Sequence, residues 1–401
     1  MKLYNVVKTF LICFFICLFV GCGGKADSYY EEAVTLYSQG DYEKATELFE
    51  KAIESNPDKA EYYIDYGITL ISLGRYDEAR VKLQSIMRDT DSKIVRENNK
   101  KAYRGIALSY YSSGEYDQAK AYFELALGIK ELESYDKDIK AYLAECLMHL
   151  QKYDESLDCW NSIIEENDEA EYYLGRASLH SLMGNADLAI ADYNNCISED
   201  KHLYGAYLAL YNTQIDAGYA DAAAETITTA MEIIKDKKSE ESFDYYIFNY
   251  YYLKNSKETG TDTLAEGFSS FYDEGELTAG YYLGRIAEDA GDYQKAYEYY
   301  TKYAAECSGE IGADFCNQYA ECLAQLEKYD EALEWITKGC SMAGGTAKKK
   351  LLFNEVIIYE KNGKYDIAEE KAAHYLEIYN DELMAKEYEF IKTRIKPKNE
   401  N

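Results

Sequence analysis

Apolar and small residues return along this chain at intervals of three and four, the spacing of a helix with one buried face. In one stretch Tyr63, Tyr66, Gly67 and Leu70 fall on a first helix, and Tyr76, Ala79, Leu83 and Ile86 on a second. The turn between them carries Gly74-Arg75-Tyr76-Asp77-Glu78-Ala79, and close copies of this hexamer recur at Gly40, Gly114, Gly291 and Gly363. Weaker copies stand at Gln151, Gly184, Gly218 and Glu327. The pattern therefore predicts helical hairpins in series.

Each hexamer position has a physical task. A leading glycine, present in seven of the nine copies, can take the left-handed conformation that ends one helix before the next begins. The third position is tyrosine in seven copies, a ring large enough to wedge between the two helices. The sixth is alanine in every copy except the one ending in Ser156, as a close helix crossing requires.

Successive turns are separated by 34, 40, 37, 33, 34, 73, 36 and 36 residues. This spacing resembles the tetratricopeptide repeat, a helix-turn-helix unit of about 34 residues, over roughly Tyr29 to Tyr379. The resemblance implies an all-α fold: a right-handed superhelical solenoid of about ten units, closed by a C-terminal capping helix. The longest gap holds Phe243 to Tyr252, rich in aromatics, followed by Leu264, Phe268, Phe271 and Tyr272 at helical spacing. It reads as a degenerate unit that has lost its turn signature. The expected layout is a signal peptide over 1–21 and a tether over 22–28. Repeats follow over 29–237, the degenerate unit over 238–276, further repeats over 277–380, and a cap with tail over 381–401.

The N-terminus changes the picture. Lys2 and Lys8 precede an uninterrupted apolar run from Phe10 to Val20. As a helix this run reaches about 16 Å, short of the roughly 30 Å of a bilayer core, and so reads as a secretory signal. Val20-Gly21-Cys22 resembles the end of a bacterial lipoprotein signal, with Phe19 where that family usually has leucine. The resemblance implies cleavage before Cys22, acylation of its thiol, and a chain held by lipid on the extracytoplasmic face of a bacterial membrane.

Composition narrows the partners. A net charge of −30, or −32 without residues 1–21, repels nucleic acid and anionic headgroups. Of the ten cysteines, seven lie between Cys146 and Cys340, several at small or apolar repeat positions, and read as buried thiols rather than a disulfide framework. His149, His180, His202 and His374 have no partner at metal-ligand spacing, and no nucleophile elbow, phosphate loop or zinc motif occurs. No catalytic residue, metal or cofactor is expected, and the oligomeric state is not set.

Function is therefore expected on the stack itself. In the repeats this chain resembles, set positions of each first helix line a concave groove that takes a peptide or partner helix. Mapped here, these are Tyr30, Val34 and Tyr37, then Ile64, Ile68 and Ile71, then Arg104, Leu108 and Tyr111. Later units supply Glu145 and Met148, Leu174 and Ser178, Leu208 and Asn212, then Tyr281, Arg285 and Glu288, a more mixed surface. Chaperone-type repeats that hold a C-terminal carboxylate use lysine and asparagine where this chain has Tyr30, Val34, Ile64 and Ile68. The expectation is a membrane-anchored scaffold for proteins or peptides. The alternatives are a surface lipoprotein that stacks glycans or other solutes on tyrosines, and a non-catalytic subunit of an envelope enzyme complex.

Overall fold

The computed structural model describes residues 24–166, 169–236, 242–256, 261–307 and 311–395. The signal segment and Cys22 lie outside them. Among the described residues there are twenty-one α-helices and no strand. The first hairpins are α1 (Lys25–Ser38) with α2 (Tyr42–Ser55), α3 (Ala60–Ser72) with α4 (Tyr76–Ser85), and α5 (Lys93–Ser112) with α6 (Tyr116–Leu127). Then come α7 (Asp136–His149) with α8 (Tyr153–Ile164), α9 (Ala170–Met183) with α10 (Ala186–Glu199), and α11 (Tyr204–Asp216) with α12 (Ala220–Asp236). The aromatic segment forms α13 (Phe243–Ser256) and α14 (Thr261–Asp273). The series ends with α15 (Leu277–Asp289) and α16 (Tyr293–Glu306), α17 (Ala313–Gln325) and α18 (Tyr329–Met342), α19 (Gly345–Lys361) and α20 (Tyr365–Ile378), and a single α21 (Glu382–Arg394).

All nine signature turns close in the same way. At the first, the Gly40 amide donates to the Tyr37 carbonyl and the Asp41 amide to the Leu36 carbonyl, each at 3.0 Å, so the last turn of α1 keeps its acceptors satisfied. The two copies without glycine hold the same geometry, with Gln151 at φ 58° and Glu327 at φ 60°. Packing of the flanking helices outweighs the local cost there, on the order of 1–2 kcal/mol for a residue with a Cβ. The alanines at the sixth position are fully buried. Ser156, the exception, is also fully buried and donates its hydroxyl to the Ala144 carbonyl at 2.8 Å, which removes the penalty of its oxygen.

The hairpins gather into two compact units, one running to Leu179 and the other from His180. In the first, Leu83 of α4 inserts between consecutive first helices. A Cβ at Gly67 of α3 would lie 2.6 Å from its Cγ, and one at Gly105 of α5 2.8 Å from its Cδ1, so both positions need glycine for α4 to seat. Lys100 is fully buried, pairs with Asp136 at 2.5 Å and donates to the Ile129 carbonyl at 2.8 Å, tying down the connection between α6 and α7.

In the second unit the rings of α13 are packing elements. Phe243, Tyr246 and Tyr250 meet Phe268, Phe271 and Tyr282 at centroid separations of 5.3 to 6.5 Å. Packing against α14 and α15, and of Phe248 and Tyr251 against Tyr204 and Tyr211 of α11, takes up six of the seven aromatics in this ten-residue run, while Tyr252 is exposed. One contact reaches far along the chain: the loop before α19 lies against the turn between α9 and α10, where a Cβ at Gly344 would fall 2.8 Å from Leu182 Cδ1. Lys350 of α19 also pairs with Asp216 at the end of α11. At the C-terminal end α21 buries Met384 and Ile391 in a cluster with Tyr375.

Candidate functional site

First helices of successive hairpins lie side by side in the unit ending at Leu179, and polar side chains link them across one repeat. The Tyr30 hydroxyl of α1 donates to Asp65 Oδ2 of α3 at 2.6 Å. Arg104 of α5 pairs with Asp138 of α7 and lies over the Tyr135 ring. The Tyr111 hydroxyl of α5 donates to Glu145 Oε2 of α7 at 2.5 Å. These rungs define one face shared by α1, α3, α5 and α7.

The residues expected on a groove divide in two. Tyr30, Val34, Tyr37, Ile68, Ile71, Arg104 and Tyr111 are half-buried, and Tyr30, Arg104 and Tyr111 make the links just described. Tyr30 stacks on Tyr62 with ring centroids 4.9 Å apart, and Tyr37 packs on Tyr42 at 5.2 Å. Val34, Tyr37 and Ile71 continue the cluster around Phe49 and Leu70. Ile64 and Leu108, by contrast, are only 8% and 5% exposed. Ile64 is taken up by Leu83, Ile86 and Ile106, and Leu108 by Phe123 and Leu143, because a first helix also packs against the second helices beside it. Neither offers surface to a ligand.

Two carboxylates on the face have no salt bridge among the described residues. Asp65 is pushed up to about 6, mainly by burial; the Tyr30 hydrogen bond opposes this, Glu61 adds to it and Lys101 opposes it. Glu145, 9% exposed, is pushed up to about 7 by burial, against the Tyr111 hydrogen bond and with the Asp138 charge adding. Burial also raises the Tyr111 and Tyr142 hydroxyls far above the physiological range, so they act as neutral donors. Asp65 and Asp138 were not legible as site residues from helix positions alone. The available signal is a polar pair one repeat apart, as in Tyr30 with Asp65 and Tyr111 with Glu145.

The unit from His180 carries a second set of polar first-helix residues. Arg285 of α15 donates to the Tyr281 hydroxyl at 2.8 Å and lies 5.7 Å from the Tyr250 ring centroid. Glu288 accepts from Tyr300 at 2.9 Å and from Gln318 at 2.6 Å. His180 is buried, with Nε2 3.9 Å from Asp192.

Among the described residues no group of three or more His, Cys, Asp or Glu is arranged to hold a metal ion, and no helix is long and apolar enough to cross a membrane. No disulfide joins the described cysteines; burial pushes the thiols of Cys316 and Cys322 up to about 11 and about 12, which leaves them poor nucleophiles.

Family models described as tetratricopeptide repeat match residues 36–93 and 98–179, and again 170–202 and 313–345. The chain carries tetratricopeptide repeats. Proteins built from such repeats commonly bind peptides or partner proteins and are generally non-catalytic. No curated protein sequence matches the chain. Among solved structures, a tetratricopeptide repeat protein from Parabacteroides merdae is 16% identical with a TM-score of 0.48, over 75% of this chain and 100% of that one. A thermophilic repeat protein of Thermus thermophilus is 18% identical with a TM-score of 0.39, over 47% and 99%. Yeast Tom70 is 15% identical with a TM-score of 0.40, over 92% and 88%.

Proposed function

We propose that this chain is a lipid-anchored, extracytoplasmic tetratricopeptide repeat scaffold that holds partner proteins or peptides against the face of its first helices. The observation that carries the binding half is the α1, α3, α5 and α7 face. There half-buried Val34, Ile68 and Ile71 alternate with tyrosines whose hydroxyls are fixed by Asp65 and Glu145. Apolar surface between fixed polar groups suits an extended peptide, which gains affinity from buried side chains and register from the polar points. A photocrosslinker installed at Ile68 should capture a partner from cell envelopes, while one at exposed Val81 on α4 should not. Equal capture at both positions removes the face assignment.

The anchoring half rests on Val20-Gly21-Cys22 at the end of the apolar run. Helix α1 begins at Lys25, so an acylated Cys22 would hold the first repeat close to the headgroups. Acyl chains rather than charge would hold it there, since the acidic body gains nothing from an anionic surface. Cells fed a labelled fatty acid should label the native chain and not a Cys22→Ala variant. Undiminished label in the variant refutes the anchor.

A further inference from the structure

We propose that α21 pairs antiparallel with α21 of a second copy of this chain, covering Leu383 and Phe390 and setting Lys386 of each copy against Glu387 of the other. This surface belongs to the unit from His180 and is independent of the first-helix face in the other unit. A helix that ends a repeat array keeps the array soluble by turning a polar face outward. Helix α21 does so only in part. It buries Met384 and Ile391 in the cluster with Val356 and Tyr375, yet away from that cluster Leu383 is 68% exposed and Phe390 42%. Positions 383, 386, 387, 390 and 394 are spaced three and four apart and so share one stripe of the helix. Along it stand Leu383, Lys386, Glu387, Phe390 and Arg394. Single exposed apolar side chains are ordinary, but two on one stripe, two turns apart, give a second apolar edge to a helix that already has a buried one.

The order of residues on the stripe says what covers it. Leu383 and Phe390 lie equally far from the midpoint between Lys386 and Glu387. With a second copy turned end for end about that midpoint, Leu383 meets the partner's Phe390 and Lys386 meets the partner's Glu387. Each contact then occurs twice, as a two-fold interface requires. A parallel pairing would set lysine beside lysine and glutamate beside glutamate. The helix ends agree with the antiparallel choice, with Glu382 in the first turn and Lys392 and Arg394 in the last, so opposite charges face one another along the pair. Lys386 is exposed and makes no salt bridge among the described residues. Arg394 lies over the Phe390 ring, 4.9 Å from its centroid, and would flank the apolar contact. Two helices of 13 residues, about 20 Å long, bury less than the ~1,200 Å² of a stable dimer, which places the dissociation constant in the micromolar range. Chains of charge −30 also repel at long range, a force that physiological salt screens beyond about 8 Å.

A second feature of the stripe lacks a cation. Glu387 meets Glu360 of α19 carboxyl to carboxyl, with Lys361 of α19 and Arg394 of α21 as the cations nearby. Burial first, and then the Glu387 carboxylate, push Glu360 up to about 7. Below that pH the two acids share a proton; above it both are ionised and repel. The partner's Lys386 stabilises the doubly ionised form, so the dimer tightens as pH rises through about 7.

The test is sedimentation of the full chain at physiological salt in a neutral detergent, with micelles in excess over protein so that a shared micelle does not imitate a dimer. The native chain should pass from monomer to dimer across the micromolar range, and dimerise more tightly at about pH 8 than at about pH 6. Leu383→Ser and Phe390→Ser, at exposed positions that leave the helix content unchanged by circular dichroism, should each weaken the dimer about tenfold. Lys386→Glu and Glu387→Lys should each weaken it alone, while an equimolar mixture of the two should recover native affinity, because each supplies the charge the other lacks. A chain that stays monomeric throughout overturns the proposal. So does a dimer that these variants leave unchanged, or a mixture no tighter than either variant by itself.

Discussion

Replacing Glu145 by glutamine should make the protein more stable, and the gain should depend on pH. In the folded chain Glu145 is 9% exposed and its carboxyl group is raised from an ordinary value of 4.5 to about 7, first by burial and then by the Asp138 charge. In the unfolded chain it titrates near the ordinary value. Below about pH 4.5 the side chain is neutral in both states and contributes no difference. Above about 7 it is ionised in both, and the folded state bears the cost of a buried charge. At about 1.4 kcal/mol for each tenfold change in proton affinity between the two states, that cost is about 3.5 kcal/mol. Glutamine has the same shape, keeps an acceptor for the Tyr111 hydroxyl, and carries no charge at any pH. The stability of Glu145→Gln minus that of the native chain should therefore be small at pH 4.5 and rise to about 3 kcal/mol by pH 8. Taking the difference cancels the titration of the other acids. The assay is hydrogen exchange of the core amides of α7, which reads the opening of this hairpin without assuming that so long an array unfolds in one step. A difference that is the same at both pH values, or a variant less stable at pH 8, would refute the burial argument.

Three further outcomes follow from the backbone and packing. Gln151→Gly, at a turn held at φ 58°, should stabilise the α7–α8 hairpin by roughly 0.5–1 kcal/mol, the relief of left-handed strain less glycine's extra unfolded entropy; its urea midpoint should rise. Gly114→Ala, at φ 78° with open space around its Cβ, should cost about 1 kcal/mol through backbone strain alone, and a crystal structure should show no displaced neighbour. Gly344→Ala meets the Leu182 carbonyl, so exchange should speed up both at residues 181–184 and at the start of α19; acceleration at α19 alone would mean the two segments do not depend on each other.

The hairpins were readable because the Gly-x-Tyr-x-x-Ala turn encodes its geometry locally, in a left-handed residue and a methyl-sized contact. Gln151 and Glu327 keep that turn without glycine because the alanine or serine five residues later still allows the helices to close. The site was less readable. Ile64 and Leu108 hold the same helix positions as residues on the face, yet neighbouring second helices bury them, and that depends on the size of side chains such as Leu83 and Phe123 one hairpin away. Asp65 gains its place from Tyr30, thirty-five residues earlier, a relation between units rather than within one. The aromatic run of α13 reads from the sequence as part of a degenerate packed unit, but which rings it packs against is set by the positions of Phe268, Phe271 and Tyr282 on other helices. The meeting of Gly344 with Leu182 joins segments several hairpins apart, which no short motif specifies.

That meeting has a consequence for how the second unit comes apart. A row of hairpins touching only its neighbours can fray from either end, losing one unit at a time at little cost to the rest. Where the loop at Gly344 rests on the turn at Leu182, and Lys350 reaches across 134 residues to Asp216, the intervening hairpins are bracketed by a contact that none of them makes alone. Losing any one of them also releases the bracket. This stretch should melt as a single cooperative block, folding more slowly than a simple array of the same length because its last contact joins segments far apart in the chain.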